Sequence, residues 1–522
     1  LKKELGSRRA SGLQTGTFHS ICLHFLKKAG VGFSLASEAQ CRQMAGEAVS
    51  EAGGSISAGK FLESLSRKQA GLPVCEEERF RQAEELYKKK KQERGLLDFG
   101  DLLLETLRLL EGGAPAGKQF TCLLIDEFQD IDPLQYRLVR AWDREARELF
   151  VIGDPNQSIY GFRGADAGCF ERLRADVEET GGEFCLVELK ENYRSTPQIL
   201  EAARRMQGCE PLHPNCPGGA PVRLLRAGSE LGEAIFIARE IGRMAGGIGM
   251  LEAQELSGSR ERQTRSFDEI AVLTRTHRQA DLVEMCLRKE GIPYIVAGRE
   301  GFLEDDKVQG SICFFRYLED PENESAAQTA AELLLGLSWN QLTEEMVRTM
   351  AEKYRPLFEK KKPGKFLEMW MEDQGLQREG AVKKLAAMTV FYRTMPEFLQ
   401  DLVLGVESDL KRCGGKNYTS GAVTLMTLHG SKGLEFPAVF IYGAREGNIP
   451  LENEKRPTDE EEERRLLYVG MTRAKEELIL TCSGEESRFL AGLPETALVR
   501  EKEMPVKKEE TCHQMSLFEL GN

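Results

Sequence analysis

Several features that would define other classes of protein are missing from this sequence of 522 residues. Its 13 cysteines are scattered singly, without a CxxC pair, which is typical of a reducing compartment rather than of a disulfide framework. No stretch approaches the roughly 20 apolar residues that cross a bilayer, and no secretory signal opens the chain. We therefore expect a cytoplasmic protein that has no membrane partner.

A surplus of positive charge is also missing. The chain has 71 Lys and Arg against 84 Asp and Glu, a formal net charge of −13. This balance argues against a protein that holds nucleic acid by a broad basic surface. Any binding of nucleic acid must therefore depend on a local groove, in which aromatic side chains stack on bases.

Short runs of β-branched residues that end in polar or glycine residues predict buried parallel strands. Helical patterns lie between these runs, so the predicted fold class is α/β, with the strands divided between two separate sheets. The predicted strands are Thr121–Ile125, Leu149–Ile152, Ile270–Leu273, Val423–Met426, Val439–Tyr442 and Leu478–Thr481.

Two blocks of the chain are predicted to be mainly helical. The first covers residues from about 22 to 97 and contains the basic run Lys88–Lys91. We interpret this run as a solvated helix face, with contact to a phosphate backbone as the alternative. The second block covers residues from about 303 to 420, where Trp339 and Trp370 are expected to anchor a small core.

The predicted strand Thr121–Ile125 is followed by two adjacent carboxylates, Asp126 and Glu127. Open α/β sheets place their ligands at the carboxyl ends of the strands, and adjacent residues there point in different directions. One carboxylate can therefore hold Mg²⁺ through its water shell while the next polarises an attacking water molecule. The alternative is a pair of surface acids that begins a turn.

The next predicted strand ends in a loop with glycines at both ends, Gly153–Gly164, which let the backbone turn tightly near a ligand. Within this loop, Gln157 is a candidate sensor of a terminal phosphate. Tyr160, Phe162 and Arg163 offer flat groups that can stack on bases. The alternative role for the two aromatic residues is ordinary packing.

Five segments in a fixed order resemble the helicase motifs of the UvrD/Rep/PcrA branch of superfamily one. The resemblance covers nearly the whole chain, from Thr17 to about Ser483. The segments are DEFQD (Asp126–Asp130), GDPNQSIYGFRGA (Gly153–Ala165), ENYRST (Glu191–Thr196), LMTLHGSKGLEF (Leu425–Phe436) and EEERRLLYVGMTRAK (Glu461–Lys475).

The resemblance implies two RecA-like motor domains with parallel sheets, each carrying a mainly helical insertion. The predicted boundaries are 1–21 and 98–187 for the first motor domain, 22–97 for its insertion, 188–303 and 421–498 for the second motor domain, 304–420 for a shortened second insertion, and 499–522 for a flexible tail.

The same resemblance implies ATP and Mg²⁺ as cofactors and gives roles to residues of the first motor domain. Asp126 would coordinate Mg²⁺ and Glu127 would activate the hydrolytic water molecule. Gln157 would couple the γ-phosphate of ATP to DNA.

In the second motor domain, the resemblance implies that Tyr193 stacks on adenine and that Glu435 binds the sugar. Gly433 belongs to the same nucleotide-binding segment. Arg194 and Arg473 would reach the γ-phosphate, for which a planar guanidinium is suited because it binds phosphate oxygens bidentately.

We place Arg473 on a helix with a well-marked start. Thr458 is predicted to cap this helix and Glu461 to complete a capping box, while Asp459 and Glu460 suit the positive end of the helix dipole. The alternative role for Arg473 is a surface salt bridge.

Two segments resemble the family's contacts to single-stranded DNA. Thr17, Phe18 and His19 resemble a backbone-contacting element of the first motor domain, although such residues can equally begin a helix. His429 and Lys432 resemble the matching contacts of the second.

One element of the family is not present in the sequence. The phosphate-binding loop GxxxxGK[ST] should precede Thr17, but residues 1–16 contain no GK[ST]. This loop supplies the amide nest and the lysine that cradle the β- and γ-phosphates. We interpret the chain as part of a longer protein, with a degenerate relative that does not hydrolyse ATP as the alternative. The 522 residues by themselves are expected to bind ATP weakly and not to unwind DNA.

Near the end of the sequence, QMSLF (Gln514–Phe518) resembles the QLxLF peptide by which bacterial replication and repair proteins dock on the sliding clamp. Leu517 and Phe518 can bury two anchors in a pocket, and Gln514 begins the motif. The alternative is a chance pentapeptide.

The resemblance therefore implies an ATP-dependent helicase or translocase that moves 3′ to 5′ on single-stranded DNA. Its expected substrates include junctions between single- and double-stranded DNA, in repair or replication. Two alternatives stay open: a DNA-binding relative without catalysis, and the helicase part of a recombination helicase–nuclease.

Overall fold

A computed structural model describes residues 13–36, 38–74, 78–112, 120–144, 148–246, 264–297, 305–321, 323–337, 341–389, 392–404, 421–452 and 459–502. By the density of internal contacts, the chain divides into two units. The first unit consists of Leu1–Val187 and Ala297–Tyr418, and the second of Glu188–Val296 and Thr419–Asn522. None of the described helices combines the length and the apolar character needed to cross a membrane.

The first unit begins with the predicted helical block, which the structure confirms. Two short strands within it pair in parallel, Ser34 beside Leu96 and Leu35 beside Leu97. The elements are α1 (Phe18–Lys28), β1 (Ser34–Leu35), α2 (Glu38–Glu51), α3 (Ala58–Gln69), α4 (Glu78–Glu93), β2 (Leu96–Leu97) and α5 (Phe99–Glu111).

The last residue of the basic run Lys88–Lys91 lies neither on a solvated helix face nor where it could contact a phosphate backbone. Lys91 is buried, and its ammonium group lies 2.5 Å from carboxylate oxygens of both Asp98 and Asp101. The prediction of a solvated face is therefore wrong for Lys91, because α4 turns this side chain toward the carboxylates that begin α5. Lys88 and Lys89 stay on the surface and pair with acids of their own helix.

Two parallel strands follow, close to their predicted positions. Leu123 of β3 is buried, whereas its neighbour Leu124 is largely exposed, as the alternation of side chains along a strand requires. Leu124 lies beside Phe150 of β4. The elements are β3 (Cys122–Ile125), α6 (Pro133–Asp143), β4 (Glu148–Val151) and α7 (Cys169–Glu179).

The second unit starts with alternating helices and strands. Its longer helices have apolar faces that pack against the sheet, among them Ile237 and Ile241. The elements are β5 (Glu191–Asn192), α8 (Pro197–Gln207), β6 (His213–Pro214), β7 (Arg223–Ala227), α9 (Glu230–Met244), β8 (Ile270–Thr274), α10 (His277–Lys289) and β9 (Tyr294–Val296).

A second helical block follows, and its core forms around Trp370 as predicted. The Trp370 ring stacks on Phe314 with centroids 4.9 Å apart, and its Nε1–H donates to Ser311 Oγ at 3.1 Å. Trp339 lies outside the described residues. The helices are α11 (Asp306–Glu319), α12 (Glu324–Ala330), α13 (Gln341–Lys360), α14 (Pro363–Asp373), α15 (Gly380–Met388) and α16 (Met395–Leu404). Internal contacts group this block with the first unit, although it lies in sequence between β9 and the next strand of the second unit's sheet. The predicted domain boundaries stay predictions.

The remaining elements complete a seven-stranded parallel sheet in the second unit. They are β10 (Val423–Thr427), β11 (Phe436–Ile441), α17 (Glu460–Met471), β12 (Ala474–Ser483), α18 (Arg488–Ala491) and β13 (Val499–Lys502). The strand order is β13-β7-β12-β11-β8-β10-β9, and every neighbouring pair is parallel. The prediction of an α/β fold is confirmed. The six predicted strands lie in two parallel sheets, β3–β4 and the seven-stranded sheet, but the described residues also form two further two-stranded sheets, β1–β2 and β5–β6.

Candidate functional site

The two adjacent acids follow β3 directly, at the carboxyl end of a parallel strand. Asp126 is exposed, and its Oδ1 accepts the backbone N–H of Glu127 at 3.0 Å. In the part of the chain that the structure describes, Glu127 is the one non-glycine residue with a positive φ, 53°. Such a conformation costs on the order of 1–3 kcal/mol and is concentrated at functional sites. The local backbone is therefore held by its surroundings.

Gln129 connects the acid pair to the loop after β4. Its side chain is fully buried; Nε2 donates to Glu127 Oε2 at 2.6 Å, and Oε1 accepts the N–H of Asp154 at 3.0 Å. Asp154 in turn accepts a hydrogen bond from Gln157 Nε2 at 2.8 Å. A continuous chain of hydrogen bonds thus joins the predicted water activator to the predicted phosphate sensor.

The loop after β4 brings together the three flat groups predicted to stack on bases. The ring centroids of Tyr160 and Phe162 are 6.1 Å apart, and the Arg163 guanidinium lies 5.7 Å from each ring. Phe162 is 49% exposed, so one ring of the group is open to solvent. The arrangement combines aromatic faces with a cation, as stacking platforms for single strands do.

The Thr17–His19 segment begins a helix, which is the alternative that the sequence left open. Thr17 is the N-cap of α1, and its side chain accepts the N–H of Ser20. The Phe18 ring stacks on Trp142 with centroids 5.9 Å apart, and His19 meets the edge of Phe99. All three are partly exposed, so a role in DNA contact stays a prediction.

The second unit brings two cationic side chains to one carboxylate, that of Glu435. Glu435 Oε1 lies 2.5 Å from Arg194 Nε, and Glu435 Oε2 lies 3.0 Å from Lys475 Nζ. Burial alone would raise the pKa of Glu435, but the hydrogen bond from Lys475 and the charge of Arg194 outweigh it and hold the pKa below its ordinary value. We call these three residues the Glu435 cluster.

Arg194, a member of the Glu435 cluster, and its neighbour Tyr193 lie on a tight turn. The Asn192 side-chain oxygen accepts the backbone N–H groups of Arg194 and Ser195, both at 3.0 Å. Tyr193 is 75% exposed. An exposed ring beside an arginine can stack on a base and meet a phosphate, as predicted for these residues.

The prediction that Arg473 sits on a helix is wrong. The helix α17 ends at Met471, and Arg473 follows its C-cap residue and leads directly into β12. The guanidinium is buried and donates to the carbonyl oxygens of Val469 at 2.9 Å and Leu434 at 3.3 Å. A surface salt bridge is likewise ruled out, because the side chain lies in the interior.

The predicted capping of α17 is also wrong. The N-cap is Asp459 rather than Thr458, which lies outside the described residues. Asp459 Oδ1 accepts the N–H groups of Glu461 and Glu462 at 3.0 and 3.2 Å. A carboxylate serves this position well because it satisfies two unpaired amides and favours the positive end of the helix dipole.

The HGSKG segment forms one turn of 3-10 helix, His429–Ser431. Lys432 is buried, with 2% of its surface exposed, whereas His429 is partly exposed. Gly433 has a φ of +79°, in the left-handed region that glycine adopts without strain. Of the two predicted DNA contacts here, only His429 has a surface position.

Among the described residues, no group of three or more His, Cys, Asp or Glu side chains is arranged to hold a metal ion. Mg²⁺ does not require such a cage, because it keeps several waters and binds through one or two carboxylates and phosphates. The exposed Asp126 at a strand end fits that mode. The predicted clamp-binding residues Gln514, Leu517 and Phe518 lie outside the described residues.

The chain has parallel sheets, acids at the end of a strand and a turn that carries an arginine. These features correspond to the two-domain α/β architecture of UvrD-like helicases. Comparison with protein families agrees. The profile for the UvrD/REP helicase N-terminal domain matches residues 1–178, and that for the UvrD-like helicase C-terminal domain matches residues 187–357 and 339–485. The chain therefore belongs to the UvrD/Rep helicase family, as the motifs predicted.

Several curated proteins are similar to the chain. ATP-dependent DNA helicase PcrA of Bacillus subtilis is 27% identical over 491 residues, which are 79% of this chain and 63% of that protein. ATP-dependent DNA helicase UvrD2 of Mycobacterium tuberculosis is 30% identical over 430 residues, 77% of this chain and 55% of that protein. DNA helicase II of Haemophilus influenzae is 27% identical over 476 residues, 77% of this chain and 62% of that protein. The chain spans about 55–63% of the length of these relatives.

Two residues of these sites had no role in the sequence analysis. Gln129 was part of DEFQD, and only its position two residues after Glu127 hinted at a link to the acid pair. Lys475 was the last residue of the motif that contains Arg473. Their roles depend on contacts with residues distant in sequence, which no local pattern reveals.

Proposed function

We propose that this chain provides the ATP-hydrolysing and DNA-tracking residues of a DNA helicase. The observation that carries the proposal is the hydrogen-bonded path from Glu127 through Gln129 and Asp154 to Gln157. Such a path places a strand-end carboxylate and a candidate phosphate sensor in one rigid network. Family membership supports the same activity.

Phosphoryl transfer depends mainly on positioning and on charge stabilisation. Asp126 would hold Mg²⁺ through waters, and the ion would neutralise charge on the phosphate oxygens. Glu127 would orient the attacking water molecule and accept its proton. Arg194 would supply a guanidinium group for phosphate, and Tyr193 a face for adenine. Arg473 would do the same only after its buried guanidinium leaves the carbonyl oxygens of Val469 and Leu434.

The DNA that this protein acts on is proposed to be single-stranded, including junctions with duplex, with movement from 3′ to 5′ in repair or replication. The exposed Phe162 with Tyr160 and Arg163 supports a stacking contact to bases. Replacing Phe162 by Ala should weaken the affinity of the chain for single-stranded DNA by about fivefold or more, the contribution of one stacked base. Leu231→Ala, an exposed apolar residue of the second unit, serves as the control.

The proposed catalytic role is tested in the protein as its gene encodes it, using DNA-stimulated ATP hydrolysis and unwinding of duplexes with 3′ or 5′ tails. Glu127→Gln should lower turnover about a hundredfold or more, the usual contribution of a general base, while ATP still binds. Normal turnover in Glu127→Gln would contradict the proposal. Equal unwinding of both tails would contradict the polarity.

We further propose that the 522 residues by themselves bind ATP weakly and do not unwind DNA, because the sequence has no GxxxxGK[ST] loop. Normal DNA-stimulated turnover by this chain would refute that statement. DNA binding with no hydrolysis by the protein as its gene encodes it would favour the non-catalytic alternative.

The QMSLF segment is proposed to dock on a sliding clamp through Leu517 and Phe518. The test compares clamp binding by a peptide of residues 508–522 with its Leu517→Ala/Phe518→Ala variant. We expect binding by the first peptide only. Equal binding by both peptides, or none by either, would exclude this partner.

A further inference from the structure

The carboxylate of Glu435 is shared between two cations, one on each oxygen. Arg194 Nε lies 2.5 Å from Oε1, and Lys475 Nζ lies 3.0 Å from Oε2. The cluster therefore carries a net charge of about +1, since two cations face one carboxylate. Lys475 has a role of its own because it shares the Glu435 carboxylate with Arg194.

The backbone around the cluster is fixed by hydrogen bonds between segments far apart in sequence. Ser195 Oγ donates to the carbonyl of Ala474 at 2.6 Å, and Thr196 N–H donates to the carbonyl of Lys475 at 2.9 Å. Phe436 N–H donates to the carbonyl of Arg473 at 2.9 Å. The Arg194 turn, the start of β11 and the start of β12 are thus held together, so the cluster can rearrange only through its side chains.

The two ion pairs are easily exchanged because water reaches them. The side chains of Arg194, Glu435 and Lys475 are 35%, 33% and 40% exposed. Pairs at this exposure contribute little to stability. A polyphosphate carries more negative charge than one carboxylate and matches the guanidinium bidentately, so it competes well for Arg194.

If Arg194 turned to a phosphate, Glu435 would be left as an unpaired anion beside a polyanion. Like charges in such proximity repel, and the repulsion would oppose nucleotide binding. Lys475 prevents this because it contacts the other carboxylate oxygen and does not depend on Arg194. Its ammonium group keeps the carboxylate neutralised and in place.

Building on the proposed function, we propose that Lys475 is a positioning residue for nucleotides: it retains Glu435 when Arg194 exchanges that carboxylate for a phosphate. The ligand class that needs Lys475 is an adenosine di- or triphosphate. A nucleoside, which has no phosphate to draw Arg194 away, does not need it.

The test is a ligand-observed NMR titration of the 522-residue chain with ATP and with adenosine. Lys475→Gln should weaken ATP binding by about three- to sixfold, the size of one half-exposed ion pair, and leave adenosine binding unchanged. Lys475→Arg should restore ATP binding to within about twofold, since it keeps the charge. Lys190→Gln, which removes an exposed lysine paired with Glu188 in the same unit, is the matched control and should change neither affinity.

Two results overturn the inference. One is unchanged ATP binding in Lys475→Gln. The other is an equal loss of ATP and adenosine binding, which would show a merely structural role.

A nucleotide-free measurement separates this inference from the proposed function. In the Arg194→Gln variant, Lys475→Gln should raise the pKa of Glu435, followed by carboxyl NMR, because no cation then remains on the carboxylate. If the chain binds neither ligand but this shift occurs, nucleotide binding by these residues is refuted and the retention of Glu435 by Lys475 stands. If the pKa does not move, the inference fails.

Discussion

Gly153 follows β4 and lies against the buried side chain of Gln129. A Cβ atom at this position would meet Gln129 Oε1 at 2.1 Å and the backbone nitrogen of Phe128 at 3.1 Å. The sequence suggested a glycine needed for a turn near a ligand. The structure shows instead that a neighbouring side chain requires the absence of a Cβ atom.

Gly153→Ala should therefore lower the free energy of unfolding by about 1–3 kcal/mol, because Gln129 must give up hydrogen bonds in a buried position. Chemical denaturation measures the change. Gly59→Ala is the control, since nothing lies within 4 Å of the place that a methyl group would take there and Ala favours the helix α3. Equal stability of Gly153→Ala and the parent chain would show that Gln129 has no fixed position.

Glu233 is a second residue whose behaviour depends on burial. Its side chain is fully buried in α9, and Oε2 accepts hydrogen bonds from Thr481 Oγ1 at 2.5 Å and Gly443 N–H at 3.0 Å. Burial raises the pKa of Glu233, and the hydrogen bonds and the charge of Arg445 only partly oppose it. The folded state therefore binds the proton more tightly than the unfolded state.

For Glu233, this difference contributes stability below the ordinary glutamate pKa of about 4.3, and the contribution is lost as pH rises through the raised folded-state pKa. Glu233→Gln removes the titration while it keeps an acceptor oxygen. We expect the variant to gain stability relative to the parent chain as the pH rises above about 4.3, measured by thermal unfolding. Glu290→Gln, at the exposed end of α10, should follow the parent chain, and parallel curves for Glu233→Gln would contradict the argument.

At the scale of elements, α17 is tied to the end of β8 by an ion pair between the buried Glu463 and the mostly covered Arg275. Arg275 Nε and Nη2 contact the two oxygens of Glu463 at 3.0 and 2.5 Å, and Leu451 N–H donates to the same carboxylate at 3.1 Å. Two acids at the start of α17 therefore have separate roles. Asp459 caps its amides, and Glu463 anchors it to the sheet.

Glu463→Gln should cost about 3 kcal/mol of unfolding free energy, because it leaves the mostly covered Arg275 charge without its partner. Glu178→Gln, which breaks the exposed pair with Arg174 on α7, is the matched control and should leave the midpoint of denaturation unchanged. If both variants unfold at the same denaturant concentration, the anchoring role is wrong.

Sequence patterns predicted the positions of most helices and strands, but not the residues at which these elements begin and end. The strand predicted at Val439–Tyr442 is observed at Phe436–Ile441, and that predicted at Leu478–Thr481 extends over Ala474–Ser483. Hydrophobic runs identify the buried centre of a strand. Its ends depend on hydrogen bonds to neighbouring strands, such as that from Phe436 N–H to the Arg473 carbonyl.

At the scale of the whole molecule, the first unit leaves one face of the β3–β4 pair open in the described structure. Leu124 and Phe150, side by side on these strands, are 70% and 55% exposed. Side chains on the opposite face, including Leu123, pack in the core. Apolar side chains that stay exposed favour association.

The double variant Leu124→Thr/Phe150→Thr should therefore unfold at the same temperature as the parent chain and bind less hydrophobic dye, because little buried contact is removed. Leu123→Thr, on the covered face, should lower the unfolding temperature clearly. A double variant as unstable as Leu123→Thr would show that the exposed face is covered in solution.

The sequence by itself determined the family, the α/β class and the identity of the strand-end acids, because motif order and hydrophobic runs are local properties of the chain. It also identified Glu435 and Arg194, but not that Lys475 joins them. Tertiary structure alone decided that Lys91, Lys432 and Arg473 are buried, and that Gln129 links Glu127 to Asp154. These features depend on which distant segments meet, and side-chain burial and long-range hydrogen bonds leave no periodic pattern in a single sequence.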